Sequence, residues 1–294
     1  MCKIMFVINN NENDNASNLI SANEYIFKGE KDGNSVLIQQ EDEKPKVSFF
    51  DTTKNALKNL IKESKNKGIF GIHTRTGTSG LMGKINLHFW KKHNYFFAHN
   101  GFVFVLDKMS KKKCDSKMFF EFLMADIKNT EKKRGKEITP SKCLKIIGKN
   151  IEKFDFMGVA VLYNSKRGIV YIMGTRNINL TSDSKNFLAF TSFEPLTSYT
   201  KIKEYSGFSF MRDNAPSLLD KTELEKGLYA YDIKKRKIIA DREVKSRFEF
   251  DYADNRQNGY FDKEDKVEQL PYNENYNQGW NKNKKDWRAY HSEF

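Results

Sequence analysis

Apolar positions fall in short β-prone runs on both sides of a helical middle. Residues 3–8 open the chain as a strand, and the Asn-rich stretch 9–18 is expected to be a polar loop. Residues 36–39 and 47–50 predict two strands around the charged turn 41–46. Thr52 or Thr53 can cap a helix with Ala56, Leu57, Leu60 and Ile61 on one face, closed by Gly68. Strands are predicted again at 69–73, 95–99 and 102–106.

Asp115 or Ser116 can cap a second helix, with the apolar stripe Phe119, Phe120, Leu123, Met124 and Ile127. Thr139–Pro140 opens a third, carrying Leu144, Ile147 and Ile151, because proline is favoured at the first helical position. Strands follow at 157–163, 168–173, 187–191, 207–211 and 227–233, the last pairing with 238–242 across the basic turn 234–237. Helices lie between hairpins and do not alternate singly with strands, so a mixed sheet architecture fits better than a doubly wound parallel one. Beyond residue 250 aliphatic side chains thin out. The chain divides into a folded region, 1–250, and a polar, poorly ordered tail, 251–294, which Tyr260, Trp280 or Trp287 could dock.

Composition narrows the class. With 294 residues, 38% hydrophobic and 30% charged, the chain can bury a sizeable core. Three cysteines (Cys2, Cys114, Cys143) are too few, and odd in number, for a disulfide scaffold. The longest apolar run, 156–163, is too short to cross a bilayer, and no basic segment followed by an apolar one opens the chain. A cytoplasmic protein without membrane contact is expected. The balance of 51 Lys+Arg against 38 Asp+Glu gives +13. The basic residues scatter, with short runs only at 111–113, 132–134 and 234–237, so a nucleic-acid partner is open but disfavoured.

Several residues carry chemistry. Cys2 becomes a residue with both a thiol and a free α-amine once Met1 is clipped, and an α-amino pKa near ~8 suits a general base. Asn100–Gly101, between two apolar runs, is a type I′ hairpin turn in one reading. In the other, the Asn amide and the Gly N–H face a developing oxyanion. Arg75 could pair with a carboxylate through its planar fork. Asp115 could cap its helix or hold an ammonium. His73, His88, His93 and His99 crowd one stretch, but their spacing matches no common zinc pattern, so neither metal nor cofactor is expected.

Taken together, the N-terminal Met-Cys, His73-Thr74-Arg75-x-x-Thr78-x-Gly80, Asn86-x-His88, Phe97-Ala98-His99-Asn100-Gly101 and Cys114-Asp115-Ser116 resemble class II glutamine amidotransferases, which are N-terminal-nucleophile (Ntn) hydrolases. Gly158-Val159-Ala160-Val161, Gly174-Thr175-Arg176-Asn177 and, loosely, Lys28-Gly29 through Asp32-Gly33 extend the likeness over roughly residues 2–240. The resemblance implies an α+β fold, a four-layer αββα sandwich of two mostly antiparallel sheets. It implies Cys2 as nucleophile with its α-amine as base, and Asn100 and Gly101 as oxyanion hole. Arg75 would hold the glutamine carboxylate and Asp115 its ammonium, with His73 and Thr78 beside them. L-glutamine would be the substrate, and ammonia would pass to a synthetase or nucleotide-modifying enzyme on a separate chain. The chain departs from the family pattern at Lys3, Thr76–Gly77 and Lys117. The alternatives are an Ntn hydrolase of a different amide and a catalytically silent Ntn-fold binding protein.

Overall fold

Alternation along the first strand, β1 (Lys3–Asn9), sets the layering: Ile4, Phe6 and Ile8 enter one core, Met5 and Val7 another. A strand apolar on both faces must be covered on both. The computed structural model describes residues 2–12, 14–27, 32–76, 83–107, 109, 112–176, 178–183, 187–193, 220–224 and 226–244. Helices α1 (Asn15–Ala22) and α2 (Glu24–Phe27) follow β1, then strands β2 (Asn34–Gln40) and β3 (Lys46–Phe50), helix α3 (Thr53–Glu63) and strand β4 (Gly68–Thr74). After a 3₁₀ turn at Lys84–Asn86 come β5 (Trp90–Lys92), β6 (Tyr95–Val103), α4 (Phe104–Asp107), α5 (Asp115–Arg134) and α6 (Pro140–Phe154). The chain continues through β7 (Phe156–Asn164), β8 (Ile169–Gly174), β9 (Ile178–Asp183), β10 (Phe187–Thr191), β11 (Asp220–Leu224), β12 (Gly227–Asp232) and β13 (Lys237–Arg242).

The strands form a seven-stranded sheet, β11-β9-β10-β1-β4-β2-β3, and a six-stranded one, β13-β12-β8-β7-β6-β5. Among the described residues every strand pairing is antiparallel. Phe96, Ala98, Val159 and Val161 of the second sheet meet Ile4, Phe6, Ile8 and Phe190 of the first in the inter-sheet core. On the far side of the first sheet, Met5, Val7, Phe70 and Ile72 pack against Leu19 and Ile20 of α1 and Leu57 and Leu60 of α3. Helices α5 and α6 cover the outer face of the second sheet, where the Phe97 ring lies 5.3 Å from Phe120 and 6.0 Å from Phe119. The result is the expected α+β, four-layer αββα sandwich.

Local expectations fared unevenly. Thr52 caps α3 by accepting the Asn55 N–H, and Thr139 caps α6 by accepting that of Lys142. The loop expected at 9–18 gives way to α1 at Asn15, because Ala16, Leu19 and Ile20 make a buried stripe among polar neighbours. Gly68 opens β4 and does not close α3, which ends at Glu63 with Ser64 N–H bonded to Leu60 O. The strand expected at 102–106 stops at Val103, and Phe104 begins a helical turn. The short elements α2, β5, β9 and β11 were not anticipated. The strand expected at 207–211 and the tail 251–294, with Tyr260, Trp280 and Trp287, lie outside the described residues. Chain contacts define two units, Met1–Phe248 and Glu249–Phe294. Among the described residues no helix is long and apolar enough to cross a membrane.

Candidate active site

Cys2 directly precedes β1, and its parity with Ile4, Phe6 and Ile8 turns it toward the inter-sheet side. The β1–β4 register reaches Lys3 opposite Thr74, so the next step sets Cys2 against Arg75. The Cys2 thiol is half-buried and donates to Thr76 O at 3.4 Å. The other two thiols differ in kind. Burial pushes both Cys114 and Cys143 up to about 12, so they stay protonated and inert at neutral pH.

Asn100 and Gly101 do not form a hairpin turn. They sit inside β6, which pairs without a break from Tyr95–Asn164 to Val103–Phe156. The two-glycine match in that ladder explains why an Asn-Gly pair is here. Gly101 faces Gly158, both with positive φ (155° and 124°). A Cβ on Gly101 would stand 1.9 Å from Met157 O, and one on Gly158 2.2 Å from Asn100 O. Only a pair of glycines lets the two backbones come this close. Thr175 clamps the junction, accepting Gly158 N–H at its hydroxyl (2.9 Å) while its own N–H donates to Gly158 O (3.0 Å). Asn100 shares the inward parity of Phe96 and Ala98, and its Nδ2 donates to Ser192 Oγ at 2.9 Å.

Arg75 is buried (3% exposed) and is held from both sides. Its N–H donates to Gly33 O and its carbonyl accepts Asp32 N–H, while its guanidinium lies 3.8 Å from the Asp32 carboxylate. His73, two residues earlier on β4, is fully buried and stacks on His88 with centroids 3.6 Å apart. Its ring nitrogens have no hydrogen-bond partner among the described residues, so it walls the site beside Arg75 by packing. His88 Nδ1 accepts His99 N–H at 3.0 Å, which places the His88 proton on Nε2. His99 Nε2 donates to Met157 O at 3.0 Å, leaving Nδ1 to accept the Ser116 hydroxyl at 2.8 Å.

Burial holds all three rings neutral. It pushes His99 down to about 3, and pushes His73 and His88 well below 6.5 with further help from neighbouring rings and the Arg75 charge. Below pH 6.5 the unfolded chain therefore binds protons that the folded protein refuses. Stability is complete above about pH 6.5 and declines as pH falls toward 3, by up to about 1.4 kcal/mol per pH unit for each ring. Urea unfolding between pH 7.5 and 5 should show this decline, and His99→Gln should flatten it.

Asp115 is the first residue of α5, not its N-cap; Cys114 holds that position without a side-chain bond. The buried Asp115 carboxylate accepts Val103 N–H at 2.6 Å and Ser116 N–H at 2.7 Å, tying the end of β6 to the start of α5. Both oxygens meet donors, so an amide there must aim its NH₂ at a backbone N–H. Asp115→Asn is expected to cost about 1–3 kcal/mol, read as a lower urea midpoint at unchanged slope. Asn86 braces the same segment: its Oδ1 accepts Cys114 N–H at 2.8 Å and its Nδ2 donates to Lys112 O at 2.9 Å. Thr78 and Gly80 lie outside the described residues, as do Lys28, Gly29 and Asn177.

No family model matches the chain, and no curated protein does. Solved structures do. One is the glutamine phosphoribosylpyrophosphate amidotransferase of B. subtilis complexed with ADP and GMP: 13% identity and TM-score 0.51, over 82% of this chain and 49% of that one. The chain shares its fold with this glutamine amidotransferase. A second neighbour, the allosteric regulatory enzyme of purine biosynthesis, gives 13% identity and TM-score 0.51 over 79% of this chain and 47% of that one. The chain thus spans about half the length of these two structures. Within this fold the β1–β4 register sets Cys2 beside Arg75, Ser192 links Asn100 to β1, and Asp115 ties the end of β6 to the start of α5. Sequence reasoning missed Ser192 altogether; Thr175 and Gly158 were visible only as parts of motifs, without the roles that the β6–β7 junction gives them. Asn86 was visible only as part of a motif, without a role. Among the described residues no three His, Cys, Asp or Glu side chains are placed to hold a metal ion.

Proposed function

We propose that this chain, after removal of Met1, hydrolyses the side-chain amide of L-glutamine and supplies the ammonia to an acceptor enzyme on a separate chain. The observation that carries this is the link between the two catalytic strands. The Asn100 amide and the Ile4 N–H, two residues from Cys2, meet on one hydroxyl, that of Ser192. In the proposed reaction the Cys2 α-amine takes the thiol proton, and sulfur attacks the γ-carbonyl carbon. Negative charge then develops on the carbonyl oxygen, where Asn100 Nδ2 and Gly101 N–H donate to it. Collapse breaks the C–N bond as the α-ammonium returns the proton, and ammonia leaves. Water then opens the γ-glutamyl thioester to glutamate by the same proton route, restoring the thiol. Arg75 pairs with the substrate α-carboxylate and Asp115 with its ammonium.

The test is glutamate release from glutamine by protein shown by mass spectrometry to begin at Cys2. One observation favours a second reading, hydrolysis of a different amide: the Asp115 carboxylate already accepts two backbone N–H groups. Glutamine acylated on its α-amine separates the two. A poor rate relative to free glutamine supports an ammonium site; an equal rate gives the second reading.

A further inference from the structure

We propose that Ser192 is the positioning residue of the oxyanion hole, holding the Asn100 amide at a fixed place relative to the nucleophile strand; this rests on the glutaminase reading above. Ser192 is the first residue past β10, where the ladder with β1 should continue as an Ile4–Ser192 pair after Met5–Thr191. In an antiparallel ladder such a pair exchanges two backbone bonds. Here one is normal: Ser192 N–H donates to Ile4 O at 3.0 Å. The other is replaced. Ile4 N–H donates at 2.9 Å to the Ser192 hydroxyl, not to its carbonyl, and that carbonyl accepts from the Arg176 guanidinium at 3.3 Å.

The substitution of hydroxyl for carbonyl has a geometric result. A serine oxygen has two lone pairs, and its second acceptance is from Asn100 Nδ2 at 2.9 Å. Asn100 belongs to the six-stranded sheet and Ile4 to the seven-stranded one, so a single oxygen fixes a side chain of one sheet against the backbone of the other. An amide nitrogen carries two N–H groups. Binding one to Ser192 fixes the plane of the amide and so the direction of the second, which is the one the oxyanion needs. Without the anchor the amide can rotate about its last torsion, and a donor that must reorganise during reaction stabilises the transition state less. Ser192 touches no reacting atom in this scheme; it acts through Asn100.

The experiment compares the parent, Ser192→Ala, Ser192→Thr, Asn100→Ala and the Ser192→Ala/Asn100→Ala double variant, all starting at Cys2. Ser192→Ala should lower kcat for glutamine at least tenfold with KM within about twofold, and Ser192→Thr, which keeps the hydroxyl, should restore most of it. Adding Ser192→Ala to Asn100→Ala should cause no further loss. Multiplying losses in the double variant, or a raised KM at full kcat, overturns the proposal. Should Ser192→Ala not fold, Ser192→Cys under reducing conditions keeps the volume with a weaker acceptor, and the same kcat-selective loss is expected. A readout independent of turnover separates this from the glutaminase reading. In ¹⁵N spectra the Asn100 side-chain amide, assigned by its absence in Asn100→Ala, should be protected from solvent exchange in the parent and lose protection in Ser192→Ala. Unchanged protection overturns the anchor even if glutamine is hydrolysed. Changed protection in a protein inert to glutamine upholds the anchor and removes the glutaminase reading alone.

Discussion

Protein that keeps Met1, or any tag ahead of Cys2, is expected to lose glutamine hydrolysis by ~10³-fold or more, and Cys2→Ala is expected to lose it to the same degree. The two changes remove different halves of one device. Cys2→Ala deletes the sulfur. Retained Met1 keeps the sulfur but turns the α-amine into an amide, which cannot accept a proton. Neither should unfold the protein, because the thiol is half-buried and its hydrogen bond to Thr76 O is long, 3.4 Å. Thermal unfolding should shift by a degree or two at most, while glutamate release disappears. Alkylation supplies an orthogonal measure. With Cys114 and Cys143 buried and protonated, iodoacetamide should modify the folded chain once, at Cys2, and saturating glutamine should slow that reaction. Full activity in a Met1-retaining preparation would remove the N-terminal-nucleophile mechanism.

Much of the candidate site could be proposed from sequence because its residues sit where short-range sequence signals are strong. Cys2 stands at the mouth of an apolar strand, Arg75 follows another by one residue, and Asp115 starts a helix with an evident stripe. The order of strands and of the striped helices α3, α5 and α6 made a mixed sheet architecture legible, while the four layers followed from the family resemblance. Asn100–Gly101 shows where such signals stop. Locally, Asn-Gly between apolar runs is a turn; in the structure it lies in mid-strand. Gly158, 57 positions away from Gly101, relieves the contact that a side chain would make. Ser192 was invisible for the same reason. Its role depends on where β10 leaves the ladder with β1 and on a side chain in the opposite sheet, and neither is encoded within a few residues of it. The helix α1 was missed for a different cause: its apolar stripe is short and is interrupted by Asn15, Ser17, Asn18 and Ser21, of which Ser17 is buried along with it.

Asn100→Ala is expected to lower kcat for glutamine by ~10²–10³-fold while KM moves little, because the amide donates to charge that exists only once the tetrahedral intermediate forms. The ground-state carbonyl is neutral and gains little from the same donor. The structure adds a reason to expect the upper part of that range. Asn100 is only 3% exposed, so after truncation no bulk water stands ready to take over the donor's place. Truncation also leaves Ser192 Oγ still accepting Ile4 N–H at 2.9 Å, so the β1–β10 junction should hold and the unfolding midpoint should stay within a few degrees of the parent. Asn100→Asp is the more searching change. A carboxylate of nearly the same shape accepts where the amide donates, and it sets a negative charge beside the developing oxyanion. Its kcat should fall below that of Asn100→Ala at neutral pH, even though it preserves volume. If Asn100→Asp retained more activity than Asn100→Ala, volume and not hydrogen-bond polarity would be what this position contributes, and the oxyanion would have to be stabilised by backbone N–H groups alone.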